Sequence, residues 1–145
     1  MVKIKLLNEK AKLPTRASDG AAGYDLRACI DEPITLPKGG IFAVPTGVAI
    51  ELPSKNLVAA VCARSGLAIK YGIALANGVG IIDSDYRGEI KVGLINLGQE
   101  DFVINPDERI AQMLIMPVET PELTEAEELS ETTRGSGGFG STGRK

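Results

Sequence analysis

Residues 78–90 read Gly-Val-Gly-Ile-Ile-Asp-Ser-Asp-Tyr-Arg-Gly-Glu-Ile, and this stretch is the most informative part of the chain. An apolar β-branched pair, Ile81 and Ile82, leads directly into two acids, a tyrosine, an arginine and a glycine. This order predicts a hairpin: a strand, a polar bend and a returning strand over residues 89–96. Because the chain contains no histidine, base chemistry near pH 7 has to come from a carboxylate, and this bend is the best candidate. The alternative is a solvated turn in which the acids merely favour the bend.

The composition favours a single all-β domain. The chain has 145 residues with 17 glycines, 8 prolines and no tryptophan, and only 4% of it is aromatic, so the core has to be aliphatic. Strand signals recur about every ten residues, the spacing of a β-sandwich or barrel. Pro45 and Gly47 interrupt one region, which predicts two short strands or a bulge. The predicted strand regions are residues 2–7, 21–30, 41–52, 57–63, 73–76, 101–104 and 109–118, with a loop or one short helical turn at 64–72.

The net charge of −3 hides an uneven distribution. Residues 119–131 contain six glutamates and no lysine or arginine, and without them the chain has 16 basic and 13 acidic residues. The body of the protein is therefore weakly basic, which favours a small anionic ligand. The excess is too small to predict binding of duplex nucleic acid.

Cys29 and Cys62 lie in apolar surroundings and match no metal-binding spacing or disulfide framework. We predict buried, reduced thiols rather than a functional pair. The sequence shows no signal peptide and no apolar run approaching the ~20 residues of a membrane span. These features predict a cytoplasmic protein without a membrane partner.

Two regions, residues 57–63 and 110–118, are nearly continuously apolar. They predict either a subunit interface or the two-sided core of a sandwich. We favour the interface, and hence a homo-oligomer.

The chain changes character after residue 118. Residues 124–127 form a helix-capping pattern, but too few apolar residues follow for a stable helix. Residues 134–143 then contain five glycines together with Arg134, Phe139 and hydroxyl side chains. A flexible linker is one interpretation; we favour a lid that folds over a ligand. The predicted organisation is a β-barrel domain over residues 1–118 and an acidic linker with a glycine-rich lid over residues 119–145.

Five stretches together resemble the motifs of the trimeric dUTPase (deoxyuridine triphosphatase) family. They are Ala22-Gly-Tyr-Asp-Leu26, Arg64-Ser-Gly-Leu67, the residue 78–90 stretch, Glu108-Arg-Ile-Ala-Gln112 and the glycine-rich end. The resemblance covers residues 13–143; Ala63 departs from it, since many relatives have proline there. It implies a jelly-roll-like β-clip fold, a homotrimer with three shared active sites, and a tail swapped between subunits. It also implies hydrolysis of dUTP to dUMP and pyrophosphate with Mg²⁺ held by the triphosphate, which limits uracil in DNA and supplies dUMP for dTMP synthesis.

The resemblance implies that Asp83 is the base that deprotonates the attacking water. Asp85 is the rival, because alternation in an extended bend would aim both carboxylates the same way. The resemblance selects Asp83.

For the phosphates, the resemblance implies contacts from Arg64, Ser65 and Gln112, with Gly66 allowing close approach to the backbone. A guanidinium suits this role because its planar fork matches phosphate oxygens; the alternative for Arg64 is a surface ion pair. Asp25 is implied to support the metal through water and to steady the arginine.

For the nucleoside, the resemblance implies that the Asn77 amide and the backbone of Gly80, Ile81 and Ile82 read uracil. Tyr86 is implied to pack under the deoxyribose, with Lys91 close by; for Tyr86 ordinary core packing is the alternative. The implied tail contacts come from Arg134, Phe139, Gly140, Ser141 and Thr142.

Three rival functions make different demands on the sequence. A dCTP deaminase would need an activating acid beside the pyrimidine, and no matching glutamate lies near Asn77. A nucleotide-sensing protein that is not an enzyme would have lost Asp83 or the tail. A generic β-sandwich binding module would have no use for the glycine-rich end.

Overall fold

The computed structural model describes residues 1–138 as eleven β-strands and one short helix, which confirms the all-β prediction. The strands are β1 (Lys3–Leu6), β2 (Tyr24–Arg27), β3 (Ile34–Leu36), β4 (Ile41–Pro45), β5 (Val48–Glu51), β6 (Leu57–Cys62), β7 (Ile73–Leu75), β8 (Gly80–Ile82), β9 (Lys91–Asn96), β10 (Phe102–Ile104) and β11 (Arg109–Pro117), with α1 at Ser65–Tyr71. The helix has seven residues and is too short to cross a membrane. It is also longer than the single turn predicted for this loop.

The strands form four small antiparallel sheets. The largest has the order β2-β11-β6-β8, a second has the order β4-β9-β7, and β1-β5 and β10-β3 are two-stranded. Strands β4 and β5 are separate, as Pro45 and Gly47 predicted, because the chain turns between them at Gly47 and β5 pairs with β1.

The predicted hairpin around residues 83–90 is wrong. Strand β8 pairs with β6, whereas β9 pairs with β4 and β7, so the polar bend connects two different sheets. The reason lies in β9, where Val92, Leu94 and Asn96 alternate inward and bury their side chains in the second sheet. The bend therefore connects two different sheets instead of joining two strands that pair with each other.

The core lies between these sheets and is aliphatic, as predicted. Strands β6 and β11 pair with each other at its centre, through six residue pairs from Gln112–Cys62 to Pro117–Leu57. Their buried residues are Ala59, Ala60, Val61, Ile110, Ala111 and Met113. A single chain thus buries the centre of these two strands, as the sandwich-core interpretation expects. Their other apolar residues, such as Val58, Ile115 and Met116, stay partly or largely exposed, so the interface interpretation remains a prediction.

Both cysteines are free, as predicted, but they are half-buried rather than buried. Residues 119–136 are exposed and contain no helix or strand. The side chains of Leu123 and Leu129 are 96% and 89% exposed, so this acidic segment does not pack on its own domain.

Candidate active site

A group of polar side chains, here called the Asp25 cluster, meets where β2, β6 and β11 come together. It consists of Asp25 on β2, Arg64 after the end of β6, and Arg109 and Gln112 on β11. Asp25 Oδ2 lies 3.1 Å from Arg109 Nη1, and Asp25 Oδ1 lies 3.5 Å from Arg64 Nε. The Asp25 side chain is only 14% exposed. Two guanidiniums thus share one carboxylate, which leaves a local excess of positive charge suited to an anion.

Backbone contacts hold Arg64 in this cluster. Its Nη1 donates to the carbonyl oxygen of Arg109 at 2.9 Å, and Gln112 Nε2 donates to the carbonyl oxygen of Ala63 at 3.1 Å. The neighbouring Ser65 and Gly66 begin α1 and are exposed, and a Cβ at Gly66 would meet no atom within 4 Å. The backbone beside Arg64 is therefore open to a ligand.

Arg109 was not among the predicted site residues. It lies three positions before Gln112, and strict alternation along a strand would place the two side chains on opposite faces. The register against β2 shifts between Arg109 and Ala111, which is an irregularity that moves Arg109 relative to Gln112. Arg109 then contacts Asp25, and Gln112 contacts the backbone of Ala63, next to Arg64. The only sequence signal was the position of Arg109 inside the stretch that contains Gln112.

A second group lies around the bend between β8 and β9, and we call it the Asp83 groove. The groove has a volume of about 470 Å³ and brings together the predicted residues Ile81, Ile82, Asp83, Tyr86 and Lys91. Glu89 and Ile90, which were not predicted, complete its lining.

The shape of the bend separates the two candidate bases. The N–H of Tyr86 donates to the carbonyl oxygen of Asp83 at 3.1 Å, so residues 83–86 form a turn and not the extended bend assumed from sequence. Asp83 lines the groove, whereas Asp85 does not. The expectation that both carboxylates face the same way therefore fails.

Tyr86 is held by its own loop. Its hydroxyl donates to the carbonyl oxygen of Glu89 at 3.0 Å. A Cβ at position 88 would lie 2.4 Å from that hydroxyl, so only glycine leaves room for the ring. The ring is 43% exposed and not part of the core.

Asn77 lies in the turn between β7 and β8. The N–H of Gly78 donates to the carbonyl oxygen of Leu75 at 3.0 Å, and Asn77 itself is exposed. A Cβ at Gly80 would lie 3.6 Å from Asn77 Nδ2, so the amide is beside the β8 backbone. The predicted uracil-reading groups, Asn77 and β8, are therefore adjacent.

The Asp25 cluster and the Asp83 groove are far apart within one chain. Strand β8 runs antiparallel to β6, with Gly80 opposite Val61 and Ile82 opposite Ala59. Asp83 therefore lies beyond Ala59 towards the start of β6, whereas Arg64 follows its end. Ala59 and Arg64 are five residues apart, which is about 17 Å along an extended chain. One chain does not bring Asp83 and Arg64 together.

Arg134 lies in a local turn, where its Nε donates to the carbonyl oxygen of Gly137 at 2.8 Å. The other predicted tail residues, Phe139, Gly140, Ser141 and Thr142, lie outside the described residues.

The residues that the structure describes contain no group of three or more His, Cys, Asp or Glu side chains placed to hold a metal ion. Both oxygens of Asp25 face arginines. Neither oxygen is therefore free to ligate a metal ion directly, and the positive charge of the cluster favours the phosphates of a ligand.

Comparison with known proteins decides the family. A family model described as dUTPase matches residues 9–143. The chain belongs to the dUTPase family. It is 56% identical to the deoxyuridine 5'-triphosphate nucleotidohydrolase of Desulfitobacterium hafniense over 98% of this chain and 97% of that protein.

Solved dUTPase structures share the fold. The dUTPase of Staphylococcus bacteriophage 80alpha, solved with dUPNHPP, has a TM-score of 0.86 and 29% identity, covering 99% of this chain and 98% of that one. A dUTPase from phage phi11 of S. aureus, described as coordinating a structural Mg(II) ion, has a TM-score of 0.79 and 25% identity, covering 88% and 97%. The predicted jelly-roll-like β-clip fold is confirmed.

Proposed function

We propose that this protein hydrolyses dUTP to dUMP and pyrophosphate, and thereby limits uracil in DNA and supplies dUMP for dTMP synthesis. The observation that carries the proposal is the Asp83 groove, where a carboxylate, a tyrosine and a lysine line one opening beside the Asn77 turn. The family and the 56% identical nucleotidohydrolase support the same reaction.

Asp83 is the catalytic base in this proposal. It takes a proton from a water whose oxygen forms a bond to the α-phosphorus. The bond from that phosphorus to the α–β bridging oxygen breaks, and pyrophosphate leaves with the electron pair. General-base assistance of this kind contributes roughly 10²–10⁴ in rate. The position of Asp83 in the groove, which Asp85 does not share, supports this assignment.

The Asp25 cluster binds the phosphates. Arg64 and Ser65 contact phosphate oxygens beside the open backbone of Gly66, and Gln112 adds a further contact. Asp25 and Arg109 hold the Arg64 guanidinium in place through contacts of 3.5 Å and 2.9 Å. A fixed guanidinium loses less conformational entropy when it binds a phosphate.

The nucleoside lies against β8 and the bend. The Asn77 amide and the backbone of Gly80, Ile81 and Ile82 read the uracil edge, Tyr86 packs against the deoxyribose, and Lys91 lies at the groove wall. The hydrogen bond that fixes the Tyr86 ring supports its use as a barrier to a 2′-hydroxyl.

A homotrimer with shared sites is part of the proposal. Asp83 and Arg64 lie beyond opposite ends of the β6–β8 pairing, and this separation supports a site in which a second chain supplies the Asp25 cluster. The segment over residues 119–145 serves as linker and lid on another subunit, which the exposure of residues 119–136 supports.

Mg²⁺ is the proposed cofactor; bound to the triphosphate, it would neutralise charge that develops as pyrophosphate leaves. Asp25 would contact its water shell. The structural Mg(II) ion of the phage phi11 dUTPase supports the choice of magnesium over other metals. We propose a cytoplasmic location as well, which the two free thiols support.

One assay tests the function: pyrophosphate release from dUTP, dCTP, dTTP and UTP, each with and without Mg²⁺. We expect rapid release from dUTP alone, and only with the metal. Ammonia release from dCTP would instead identify a deaminase, and nucleotide binding without any product would identify a sensing protein.

A further inference from the structure

The bend that carries Asp83 is anchored at its far end to the connection between β4 and β5. Glu89 Oε1 accepts a hydrogen bond from the N–H of Gly47 at 2.8 Å. Next to it, Ile90 N–H donates to the carbonyl oxygen of Val48 at 2.8 Å, and Thr46 Oγ1 donates to the carbonyl oxygen of Ile90 at 2.6 Å. Thr46 and Ile90 are buried. The end of the bend is therefore fixed to the core.

Two further hydrogen bonds continue from Glu89 to Asp83. The carbonyl oxygen of Glu89 accepts from the Tyr86 hydroxyl at 3.0 Å, and the Tyr86 N–H donates to the carbonyl oxygen of Asp83 at 3.1 Å. Gly47, Glu89, Tyr86 and Asp83 thus form one connected series.

Gly47 is itself closely packed, so it is a firm anchor. Its φ is +67°, and a Cβ there would lie 2.6 Å from Ala11 Cβ and 2.9 Å from Cys29 Sγ. Its N–H points towards the bend, and its hydrogen-bond acceptor is the Glu89 side chain. Nothing in the proposed reaction uses Glu89, although it lines the same groove as Asp83.

We propose that Glu89 is a positioning residue that fixes Asp83 for water activation by tying the bend to Gly47. The inference rests on the proposed function. Glu89 acts through the turn and not on the substrate. A displacement of the base by about 1 Å is enough to cost up to 10²-fold in rate. Loss of the Glu89 side chain should therefore lower kcat and leave the affinity for the substrate unchanged.

The first test is Glu89→Ala, measured as kcat and KM for dUTP in the full-length protein with Mg²⁺. We expect kcat to fall roughly 10- to 100-fold while KM changes little. Glu89→Gln keeps a carbonyl oxygen that accepts from Gly47, so it should restore most of the rate. Glu51→Ala is the matched control: Glu51 also accepts a 2.8 Å hydrogen bond, from Lys3, which lowers the pKa of this exposed carboxyl. Its kcat should equal that of the parent.

The second test separates positioning from general structural damage. If Glu89 acts through Asp83, adding Glu89→Ala to Asp83→Asn should reduce the residual rate little further. Three results would overturn the inference. The first is a double variant whose rate loss equals the product of the two single-variant losses. The others are an unchanged kcat in Glu89→Ala and a failure of Glu89→Gln to recover the rate. If Glu89→Ala does not fold, Tyr86→Phe removes the next link and should show the same dependence on Asp83. An inactive parent would refute the proposed function, and the inference with it, whereas an active parent with a normal Glu89→Ala refutes the inference alone.

Discussion

Asp25 and Arg109 form a 3.1 Å ion pair on the carboxylate oxygen opposite the one that faces Arg64. The backbone carbonyl of Arg109 also accepts a hydrogen bond from Arg64 at 2.9 Å. Arg109 therefore contacts both members of the Asp25–Arg64 pair, and its side chain and backbone act on different partners.

Arg109→Ala should weaken productive binding of the triphosphate. The change removes the ion pair to Asp25 but keeps the backbone carbonyl that Arg64 uses. A hydrogen bond to a charged group contributes about 1.5–3 kcal/mol, so we expect kcat/KM for dUTP to fall about ten- to a hundredfold. The measurement is steady-state pyrophosphate release.

Arg27→Ala is the control for this change. Arg27 faces Arg109 across the β2–β11 pairing but bonds to Asp107 instead, at 2.7 Å to the carbonyl oxygen. Its activity should match the parent. Equal losses in the two variants would mean that Arg109 matters only for the stability of β11.

Asp83→Asn should bind dUTP almost normally and lose most of its turnover. The amide keeps the shape of the side chain but cannot take a proton from water. Single-turnover rates with nucleotide affinity measured alongside separate the two effects. Asp85→Asn is the matched control, because Asp85 does not line the groove. The base is misassigned if Asp83→Asn keeps more than about a tenth of the rate while Asp85→Asn loses it.

Local features of the fold could be predicted from the sequence. The predicted strand regions match every strand except β3, because short apolar runs bounded by glycine and proline leave few other structures. Strand β3 has only three residues, Ile34–Leu36, and was not predicted. Pro45 and Gly47 separated β4 from β5 for a local reason: the chain turns at Gly47 with a φ of +67°. Asp83, Tyr86 and Lys91 also share one groove, as expected.

Long-range pairing could not be predicted. Whether residues 83–90 close a hairpin or cross between sheets depends on Thr46 and Val48, which hold Ile90 from about forty positions earlier in the chain. The contact between Arg109 and Asp25 likewise depends on a register shift in β11, and no residue in β11 predicts that shift. Nor did the apolar runs of β6 and β11 distinguish an interface from a core, since either buries the same side chains.

Mixing two inactive variants should restore activity if sites are shared between chains. Asp83→Asn lacks the base, and Arg64→Ala lacks the guanidinium that binds the phosphates. A site formed between one chain of each kind can still contain both intact residues. After co-refolding at equal amounts, random assembly of a closed trimer gives about one quarter intact sites. The measurement is dUTP hydrolysis before and after mixing, with native mass measurement of the assembly.

Each variant refolded alone is the control for this experiment and should stay inactive. An active monomer at micromolar concentration would contradict the shared-site model. So would a trimer whose mixed form gains no activity, because Asp83 and Arg64 would then serve the same site within one chain.

Truncation after Thr133 should leave a folded oligomer with an unchanged melting temperature and severely reduced turnover. Residues 119–136 are exposed and pack on nothing in their own chain, so removing the segment from 134 onward exposes no core. Its contribution comes only when the lid closes, with Arg134 on phosphate and Phe139 over the base, and excludes bulk water.

Phe139→Ala alone should cost roughly 1–3 kcal/mol, the scale for an aromatic ring stacked on a base. Protease digestion with and without a non-hydrolysable dUTP analogue and Mg²⁺ should show protection of the parent tail. Full activity of the truncated chain, together with unchanged digestion, would mean that the segment is a linker and not a lid.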